Sequence, residues 1–366
     1  MKFSATKEKL LGAALIAERM VGKKESLPVL SCLYLSVGKE LVIQATNLEA
    51  AVSIAVPGEV GVRGGVAVPS SVFVQTLRSI SSDKVTLSLE EGNVHIQAKG
   101  TKTLIKTVAH QEFPLMQVSL KGQNGVVVPR EALIRVIQSS SYAASTSMIR
   151  PELGSVYVAF KDGNLISAAT DSFRLAEKVI RNIQAKADKE VLLPLKHANE
   201  LVHVLERIEE EGVTLSVEDS QLSVRGDGVM FVSRVIDGTF PNYKEVMPKS
   251  FATEATLLKS DFAELLRKAR VFSGTEQRVG LHVYPKKKTF TGTAQSAQVG
   301  EMSDTIEAAV SGDEIDIFFN ISYLSDCLQS IDADSVTLGF AGPGKPLVIR
   351  GVSDQGFTYL VMPLNR

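Results

Sequence analysis

One pattern occurs three times along this chain, and it constrains the fold more than any other feature. The triplet Val-Thr-Leu follows a predicted helix and opens a strand-like run at 85–87, 213–215 and 336–338. The copies begin 128 and 123 residues apart. Solenoid repeats span only about 20–50 residues, so a period of this length indicates duplication of a whole domain. We therefore predict three tandem copies of one domain.

Each copy has the same predicted order of elements. An amphipathic helix comes first, at 7–21, 130–142 and 261–272. A hairpin follows, with its tip near 38–39, 162–164 and 286–287. A second helix is predicted at 69–80, 194–208 and 320–331, before the strand pair that the triplet opens. This order predicts an α+β domain of two layers, with helices on one side of an antiparallel sheet. The predicted domains are 1–120, 121–250 and 251–366.

Three such domains in a row leave sheet edges that have to be paired. An unpaired strand edge favours uncontrolled association. In a tandem array, each internal edge can pair with the next domain, but one edge remains at each end of the chain. These two edges are complementary, so a second chain would pair both of them. The repeat therefore predicts a head-to-tail dimeric ring.

Composition restricts the compartment and the class of function. The chain has 366 residues, of which 44% are hydrophobic and 22% are charged, as in soluble globular proteins. No apolar run approaches the roughly 18 residues that span a bilayer, and the first residues do not resemble a signal peptide. Cys32 and Cys327 are expected to be buried thiols in a reducing compartment. We predict a cytoplasmic protein without a membrane partner.

Charge and motifs argue against two further classes of function. The net charge of −1 is unlike that of proteins that coat nucleic acid, which carry a large basic excess. The sequence contains no phosphate-binding P-loop, no Gly-x-Ser-x-Gly and no His-Glu-x-x-His. His197 and His203 are six residues apart on one predicted helix, so they do not share a face as metal ligands would. We predict no catalytic residue, no metal and no cofactor.

Two segments are not explained by packing alone. At 169–175, a polar cluster interrupts an apolar strand and an aromatic residue follows it. At 359–366, the end of the chain is mostly apolar, whereas chain termini are usually polar and frayed. Methionine, which occurs in this ending, suits adaptable binding surfaces. The segment at 359–366 is either a last strand tied into a sheet, a binding surface, or both.

With these segments, the whole chain resembles the bacterial sliding clamp family, the beta subunits of DNA polymerase III. The resemblance is carried by motifs at 27–30, 169–176, 240–243, 319–323 and 361–363. It implies a ring of six similar domains from two chains, with helices inside, sheets outside and duplex DNA in the hole. It also implies that a clamp loader places the ring on DNA. The ring would tether the replicative polymerase catalytic subunit and other proteins with a clamp-binding motif, and it would catalyse no reaction.

The resemblance also implies residues that contact DNA. Lys24, Arg78, Arg150 and Lys196 match basic positions of the family. Ser71 and the pair Pro151-Glu152 depart from it, because well-known members have a basic residue and paired aromatics there. Further candidates for weak contacts with DNA lie on predicted helices: Lys7, Lys9, Arg19, Arg135, Arg207, Arg267 and Lys268.

Two protein interfaces follow from the resemblance. The family binds an apolar partner peptide between its second and third domains. The matching pocket residues here are Thr170, Ser172, Phe173, Arg174, Leu175, Pro241, Val246, Asn320, Tyr323, Leu360, Met362, Pro363 and Leu364. Phe173 replaces a frequent histidine and should make its subsite more apolar. At the dimer interface, Ile105 matches one side, and Val271 with Phe272 matches the other.

Two alternatives to this function stay open at the level of sequence. One is a triplicated α+β enzyme whose site forms between domains and escapes a motif search. The other is a clamp paralogue that serves a specialised polymerase or acts as a resistant second copy. An apolar chain end and the Phe173 cluster favour a peptide pocket over an enzyme site.

Overall fold

The computed structural model describes residues 1–22, 27–108, 113–114, 125–147, 149–183, 188–218 and 220–364. The chain forms two compact units. The first unit consists of Met1–Glu131 with Asn199–Val235, and the second of Ala132–Ala198 with Ile236–Arg366. Among the described residues, no helix is both long enough and apolar enough to cross a bilayer.

All three copies of the repeat have the predicted order of elements. The first contains β1 (Lys2–Thr6), α1 (Lys7–Glu18), β2 (Cys32–Val37), β3 (Leu41–Thr46), β4 (Ala50–Val56), β5 (Glu59–Val62), β6 (Gly64–Pro69), α2 (Ser70–Ser79), β7 (Lys84–Glu90), β8 (Asn93–Ala98) and β9 (Thr101–Ile105). The second contains β10 (Val126–Pro129), α3 (Arg130–Ser141), β11 (Ser155–Lys161), β12 (Asn164–Thr170), β13 (Arg174–Ile180), β14 (Lys189–Pro194), α4 (Leu195–Leu205), β15 (Gly212–Glu218), β16 (Gln221–Gly226) and β17 (Val229–Arg234). The third contains β18 (Thr253–Leu258), α5 (Lys259–Phe272), β19 (Arg278–Tyr284), β20 (Thr289–Ser296), β21 (Gly300–Ile306), β22 (Ala309–Gly312), β23 (Ile315–Asn320), α6 (Ile321–Leu328), β24 (Ser335–Phe340), β25 (Leu347–Gly351) and β26 (Phe357–Val361).

The repeated triplets lie in β7, β15 and β24, each directly after the second helix of its copy. The valine and leucine of every triplet are buried, and the threonine between them is not. This alternation is what a strand with one face on a core requires.

Helices α1, α4 and α6 end about three residues before the end that the apolar pattern predicts. At each end the backbone N–H groups bond to carbonyls three residues back instead of four. Val21 binds Glu18 at 3.4 Å, Ile208 binds Leu205 at 3.1 Å and Ile331 binds Leu328 at 3.4 Å. A last turn tightened in this way satisfies terminal carbonyls while its side chains keep their place on the core.

Among the described residues, the first unit contains a five-stranded sheet, β5-β1-β7-β8-β9, and an eight-stranded sheet, β10-β15-β16-β17-β4-β3-β2-β6. The second unit contains a nine-stranded sheet, β14-β11-β12-β13-β26-β25-β24-β18-β22, and a four-stranded sheet, β21-β20-β19-β23. Every pair is antiparallel, for example β17 with β4 and β13 with β26. These two pairs join neighbouring copies, which confirms that internal edges pair with the next copy.

Both junctions between copies have the same register, and the triplet leucines show it. Across the sheet, Leu215 pairs with Val224, Val224 with Phe231 and Phe231 with Val52 of the neighbouring copy. In the same way, Leu338 pairs with Ile349, Ile349 with Tyr359 and Tyr359 with Ala176. Val52 and Ala176 occupy equivalent places, four residues before the partners of Leu41 and Leu165. The two junctions between successive repeats are therefore built with the same strand pairing.

A core of the second unit lies under α5 and α6. Helix α5 buries Phe262, Leu265, Leu266 and Ala269, which share one face of the helix. Cys327 of α6 belongs to this core, and Cys32 is buried in the first unit; both are free thiols, as predicted.

Candidate functional site

A rigid turn between β12 and β13 forms one side of the predicted pocket. The Asp171 carboxylate accepts hydrogen bonds from the backbone N–H groups of Phe173 at 2.9 Å and Arg174 at 3.0 Å. The Thr170 hydroxyl donates to the carbonyl of Arg174 at 2.6 Å and accepts from the Ser172 N–H at 3.2 Å. With its backbone fixed, the turn leaves the Phe173 side chain 61% exposed.

Arg174 connects this turn to α6 and to the residue that follows α3. Its guanidinium binds Asp171 at 3.1 Å, Asp326 of α6 at 2.7 Å and the carbonyl of Tyr142 at 2.6 Å. It also lies 4.3 Å from the centre of the Tyr323 ring. Burial alone would lower the pKa of the guanidinium, but the bond to Asp326 and nearby charges raise it above its ordinary value. Arg174 is therefore a structural hub, with a side chain only 12% exposed.

An apolar cluster forms the floor beside this hub. Leu175 and Leu360 face each other in the β13–β26 register and are buried with Phe240 and Tyr243. The Phe240 ring stacks on Tyr157 with centroids 5.2 Å apart and meets the Tyr243 ring edge-on at 5.8 Å. The short helix Tyr243–Val246 follows Pro241 and leaves the Val246 side chain exposed. Pro241 therefore directly follows the floor residue Phe240, and Val246 ends the short helix that begins at the floor residue Tyr243.

The apolar chain end is tied down at alternate residues. Beyond β26, the Met362 N–H binds the carbonyl of Phe173 and the Leu364 N–H binds the carbonyl of Phe318, both at 2.8 Å. The side chains of Met362 and Leu364 remain exposed. The ending is therefore both a continuation of the sheet and an apolar surface beside Phe173.

Asn320 and Tyr323 join the site through the start of α6. The Asn320 side chain caps this helix by accepting from the N–H groups of Ser322 at 2.9 Å and Tyr323 at 3.2 Å. Tyr359 of β26 donates its hydroxyl to the carbonyl of Tyr323 at 2.8 Å. The structure thus brings the predicted pocket residues together in the second unit, as a buried floor and an exposed apolar rim. Sequence reasoning missed Asp326 and Tyr142, which hold Arg174.

Residues expected to contact DNA differ in their surroundings. Lys24 lies outside the described residues. Arg78 on α2 and Lys196 on α4 are exposed. Arg150 forms an ion pair with Glu152 at 3.1 Å, so the residue that replaces a family aromatic partly neutralises its neighbour.

Several of the further basic candidates are already bound to other groups. Lys7 donates to the carbonyls of Arg78 and Ile80 at the end of α2. Arg19 binds Glu200 at 2.6 Å, and Lys268 binds both Glu264 and Asp304 at 2.9 Å. Two more are held by acceptors on their own unit: Arg135 by Asp332 and Arg207 by the His203 carbonyl. In the described part of the chain, the candidates whose side chains make neither a salt bridge nor a hydrogen bond are Lys9, Arg78, Lys196 and Arg267.

At the predicted dimer interface, one residue is placed differently from the expectation. Ile105 of β9 is only 3% exposed and packs within its own unit, whereas Leu104 beside it is 51% exposed. Val271 at the end of α5 is exposed, and Phe272 packs partly against the core of the second unit. Strand alternation explains the difference, because successive side chains point to opposite faces.

Three family models match successive parts of the chain. They are described as the N-terminal, central and C-terminal domains of the DNA polymerase III beta subunit and match residues 1–117, 127–242 and 244–365.

Known proteins match over the whole chain. A beta sliding clamp of Vibrio cholerae is 24% identical over 369 residues, covering 100% of both chains. A DNA polymerase III beta subunit structure from Thermotoga maritima has a TM-score of 0.93 at 25% identity, covering 100% of this chain and 99% of that one. A polymerase sliding clamp structure from Bacillus subtilis has a TM-score of 0.93 at 21% identity, with the same coverage.

These matches confirm the family, the fold class and the non-catalytic role that the sequence predicts, and they decide against a triplicated enzyme. The chain belongs to the DNA polymerase III beta subunit family.

Proposed function

We propose that two copies of this chain close head to tail into a ring around duplex DNA, as a DNA sliding clamp. Each chain contributes three domains, with boundaries near 120 and 250. The ring binds the replicative polymerase catalytic subunit, a clamp loader and other proteins with a clamp-binding motif. These partners bind at the peptide pocket that contains Phe173 and Met362. It acts in the cytoplasm, on nucleoid DNA.

The observation that carries the ring is a pair of complementary strand edges that have no pairing partner among the described residues. Strand β9 ends the five-stranded sheet and β21 ends the four-stranded sheet. Their equivalents in the other copies form the two internal junctions, β17 with β4 and β26 with β13. The same register applies to the outer strands. Leu87 pairs with Ile96 and Ile96 with Thr103, so Thr103 is equivalent to Phe231 and Tyr359. Met302 is equivalent to Val52 and Ala176, because it lies four residues before the partner of Phe290. Thr103 of one chain therefore faces Met302 of the other.

Charges favour the pairing of β9 with β21 of the second chain over the pairing of β9 with β9 or of β21 with β21. Lys99, Lys102 and Lys106 lie on or beside β9. Glu301, Asp304 and Glu307 lie on or beside β21. In the register above, Lys102 and Glu301 are diagonal neighbours on one face of the pair. Opposite charges on such neighbouring positions stabilise an antiparallel pair, and like charges destabilise it. The two edges thus select each other, giving a head-to-tail arrangement.

Retention on circular DNA tests the function directly. Loaded onto a nicked circular plasmid, the protein should remain bound in high salt and leave once the plasmid is linearised. A ring held by topology needs little affinity for phosphates, in agreement with the net charge of −1. Loss from circular and linear DNA at equal rates would overturn the proposal.

The four unpaired cations should supply the weak contact with DNA. Replacing Lys9, Arg78, Lys196 and Arg267 by glutamine should lower the slope of log K against log salt by about 1 for each lost phosphate contact. The measurement is fluorescence polarisation on a labelled duplex at low salt. Lys286→Gln, which removes an exposed charge from the β19–β20 hairpin, is the matched control and should leave the slope unchanged. A slope that the four replacements do not alter would contradict this assignment.

Peptide binding should depend on the exposed rim. Met362→Asp places a charge where a partner's apolar side chain is buried, and losses at such central contacts reach about 2 kcal/mol or more. We expect at least a roughly 30-fold loss of affinity for a polymerase motif peptide, measured by fluorescence polarisation. Val352→Asp, at another exposed valine of the same unit, should have no effect. Equal losses in both variants would assign the effect to charge rather than to the pocket.

A further inference from the structure

A groove of about 880 Å³ lies on one face of the four-stranded sheet in the third copy. It is lined by Arg278 and Gly280 of β19, Thr293 of β20 and Phe318 of β23. Its remaining side includes Met302 and Ser303 of β21, so in the proposed ring the groove lies beside the junction with the partner chain. Along β19, Arg278 and Gly280 alternate with the buried Val279 and Leu281, which face the core under α5 and α6. The groove therefore lies on the sheet face opposite the helices.

Arg278 is the unusual residue of this groove. Its guanidinium carbon lies 3.8 Å from the centre of the Phe318 ring. Its Nε atom is buried and has no hydrogen-bond partner among the residues that the structure describes. No described carboxylate forms a salt bridge with it. A guanidinium stacked on an aromatic ring can still donate hydrogen bonds in its own plane, and with Nε buried its two Nη groups are the pair that matches the two oxygens of a carboxylate.

The floor of the groove is kept open by a glycine. A Cβ atom at Gly280 would lie 2.6 Å from the Thr293 hydroxyl and 2.9 Å from the Phe318 ring. The Thr293 hydroxyl is in turn fixed by His282 Nε2 at 2.8 Å, and His282 Nδ1 by Asp316 at 2.6 Å. Arg278 therefore lies over a floor whose polar side chains are fixed by hydrogen bonds to one another.

The groove borders the peptide pocket. Arg278 faces Asn320 in the β19–β23 register, and Asn320 is a pocket residue. The carbonyl of Phe318 accepts the N–H of Leu364, another pocket residue, at 2.8 Å. A polypeptide that enters the pocket therefore passes beside the groove.

We propose that this groove binds the residues that flank a partner's motif, with Arg278 holding one carboxylate and Phe318 contacting an apolar neighbour. The inference rests on the proposed peptide pocket and extends it. Glu276 and Glu301 also line the groove. They oppose a nucleic acid strand or a long acidic run, so a single aspartate or glutamate is the ligand that fits.

The test uses pairs of labelled peptides with one common motif. Each pair places glutamate or glutamine at one position, one to four residues beyond either end of the motif. At the position that reaches Arg278, the glutamate peptide should bind the full-length protein about tenfold more tightly than its glutamine partner. Arg278→Gln should abolish this preference while affinity for the glutamine peptide changes less than twofold. Lys286→Gln, at an exposed lysine of the same copy, should keep the preference.

Other outcomes overturn the inference and are distinguishable from failure of the pocket itself. Equal binding of both peptides at every position would exclude a carboxylate site, although the pocket would stand. A preference for glutamate that survives Arg278→Gln would place the site elsewhere. If a single-stranded oligonucleotide displaces the peptides from the wild type but not from Arg278→Gln, the groove belongs to nucleic acid. If no peptide binds, the pocket and this inference fail together.

Discussion

A chain in which Thr103 and Met302 are both changed to cysteine should form a dimer closed by two disulfides. The register of the two internal junctions places these residues opposite each other between chains. Opposing residues of an antiparallel pair have Cα atoms about 4.5–5.5 Å apart, within the range of about 4.4–6.8 Å that a disulfide requires. The natural cysteines, Cys32 and Cys327, are buried and should not compete. Oxidised protein should run at twice the chain mass on a non-reducing gel.

The effect on DNA should be large, because a covalent ring cannot open. After loading by a clamp loader and ATP, and oxidation on nicked circular DNA, the ring should stay linked in denaturing detergent and leave after linearisation. A pair shifted by two residues, Thr103→Cys with Asp304→Cys, separates the Cα atoms by about 7–8 Å and should cross-link poorly. Val271→Asp, which adds a charge at an exposed residue beside the proposed junction, should leave a folded monomer by sedimentation. Cross-linking that is equal in both cysteine pairs would contradict the register.

Much of the fold could be predicted from sequence because the three copies can be compared with one another, so an element predicted in one copy supports the equivalent element in the others. Three triplets in register predicted equivalent strands, and the structure adds that the leucines of the second and third triplets lead to equivalent junctions, while Leu87 of the first leads to the outer strand β9. Helix ends were predicted less well. The apolar pattern continues through Val21, Ile208 and Ile331, although these residues belong to tightened turns rather than to α-helix. Side-chain periodicity reports which face is buried, not which carbonyl each N–H binds.

The pocket could be predicted only in part. Phe173 stood out because it follows a polar cluster that interrupts an apolar strand, and Met362 because it lies in an apolar chain end. The roles of Asp326 and Tyr142 could not be read from the chain, because they lie 152 and 32 residues from Arg174. Arg278 gave no signal either, since its stacking on Phe318 depends on the pairing of β19 with β23. Long-range contacts of charged residues are fixed by topology, which spacing alone does not reveal.

One buried ion pair should control the stability of the junction that carries the pocket. Lys178 of β13 binds both carboxylate oxygens of Asp354, at 3.0 and 2.9 Å, and their side chains are 5% and 7% exposed. The carboxylate also accepts the N–H groups of Asp332 at 3.1 Å and Gly356 at 3.0 Å. The pair thereby fastens β13 of the second copy to the β25–β26 connection of the third. A charge pair so well enclosed is costly to break from one side.

Lys178→Met should destabilise the second unit by about 3–5 kcal/mol, because it leaves the Asp354 carboxylate buried and unpaired. Urea unfolding and faster hydrogen exchange in β13 and β26 would measure this loss, and Lys161→Met, at an exposed lysine of β11, is the matched control. Adding Asp354→Asn to Lys178→Met should restore part of the stability, since the uncompensated charge is then removed.

Burial alone would raise the pKa of Asp354, but its hydrogen bonds to Lys178 and the backbone lower it below its ordinary value. The stabilisation is therefore complete above the unfolded pKa of about 3.9 and is lost as the pH falls through the folded pKa. The difference between wild type and Lys178→Met should accordingly shrink in acid, and a difference that stays constant down to pH values below the folded pKa would exclude this ion pair as its cause.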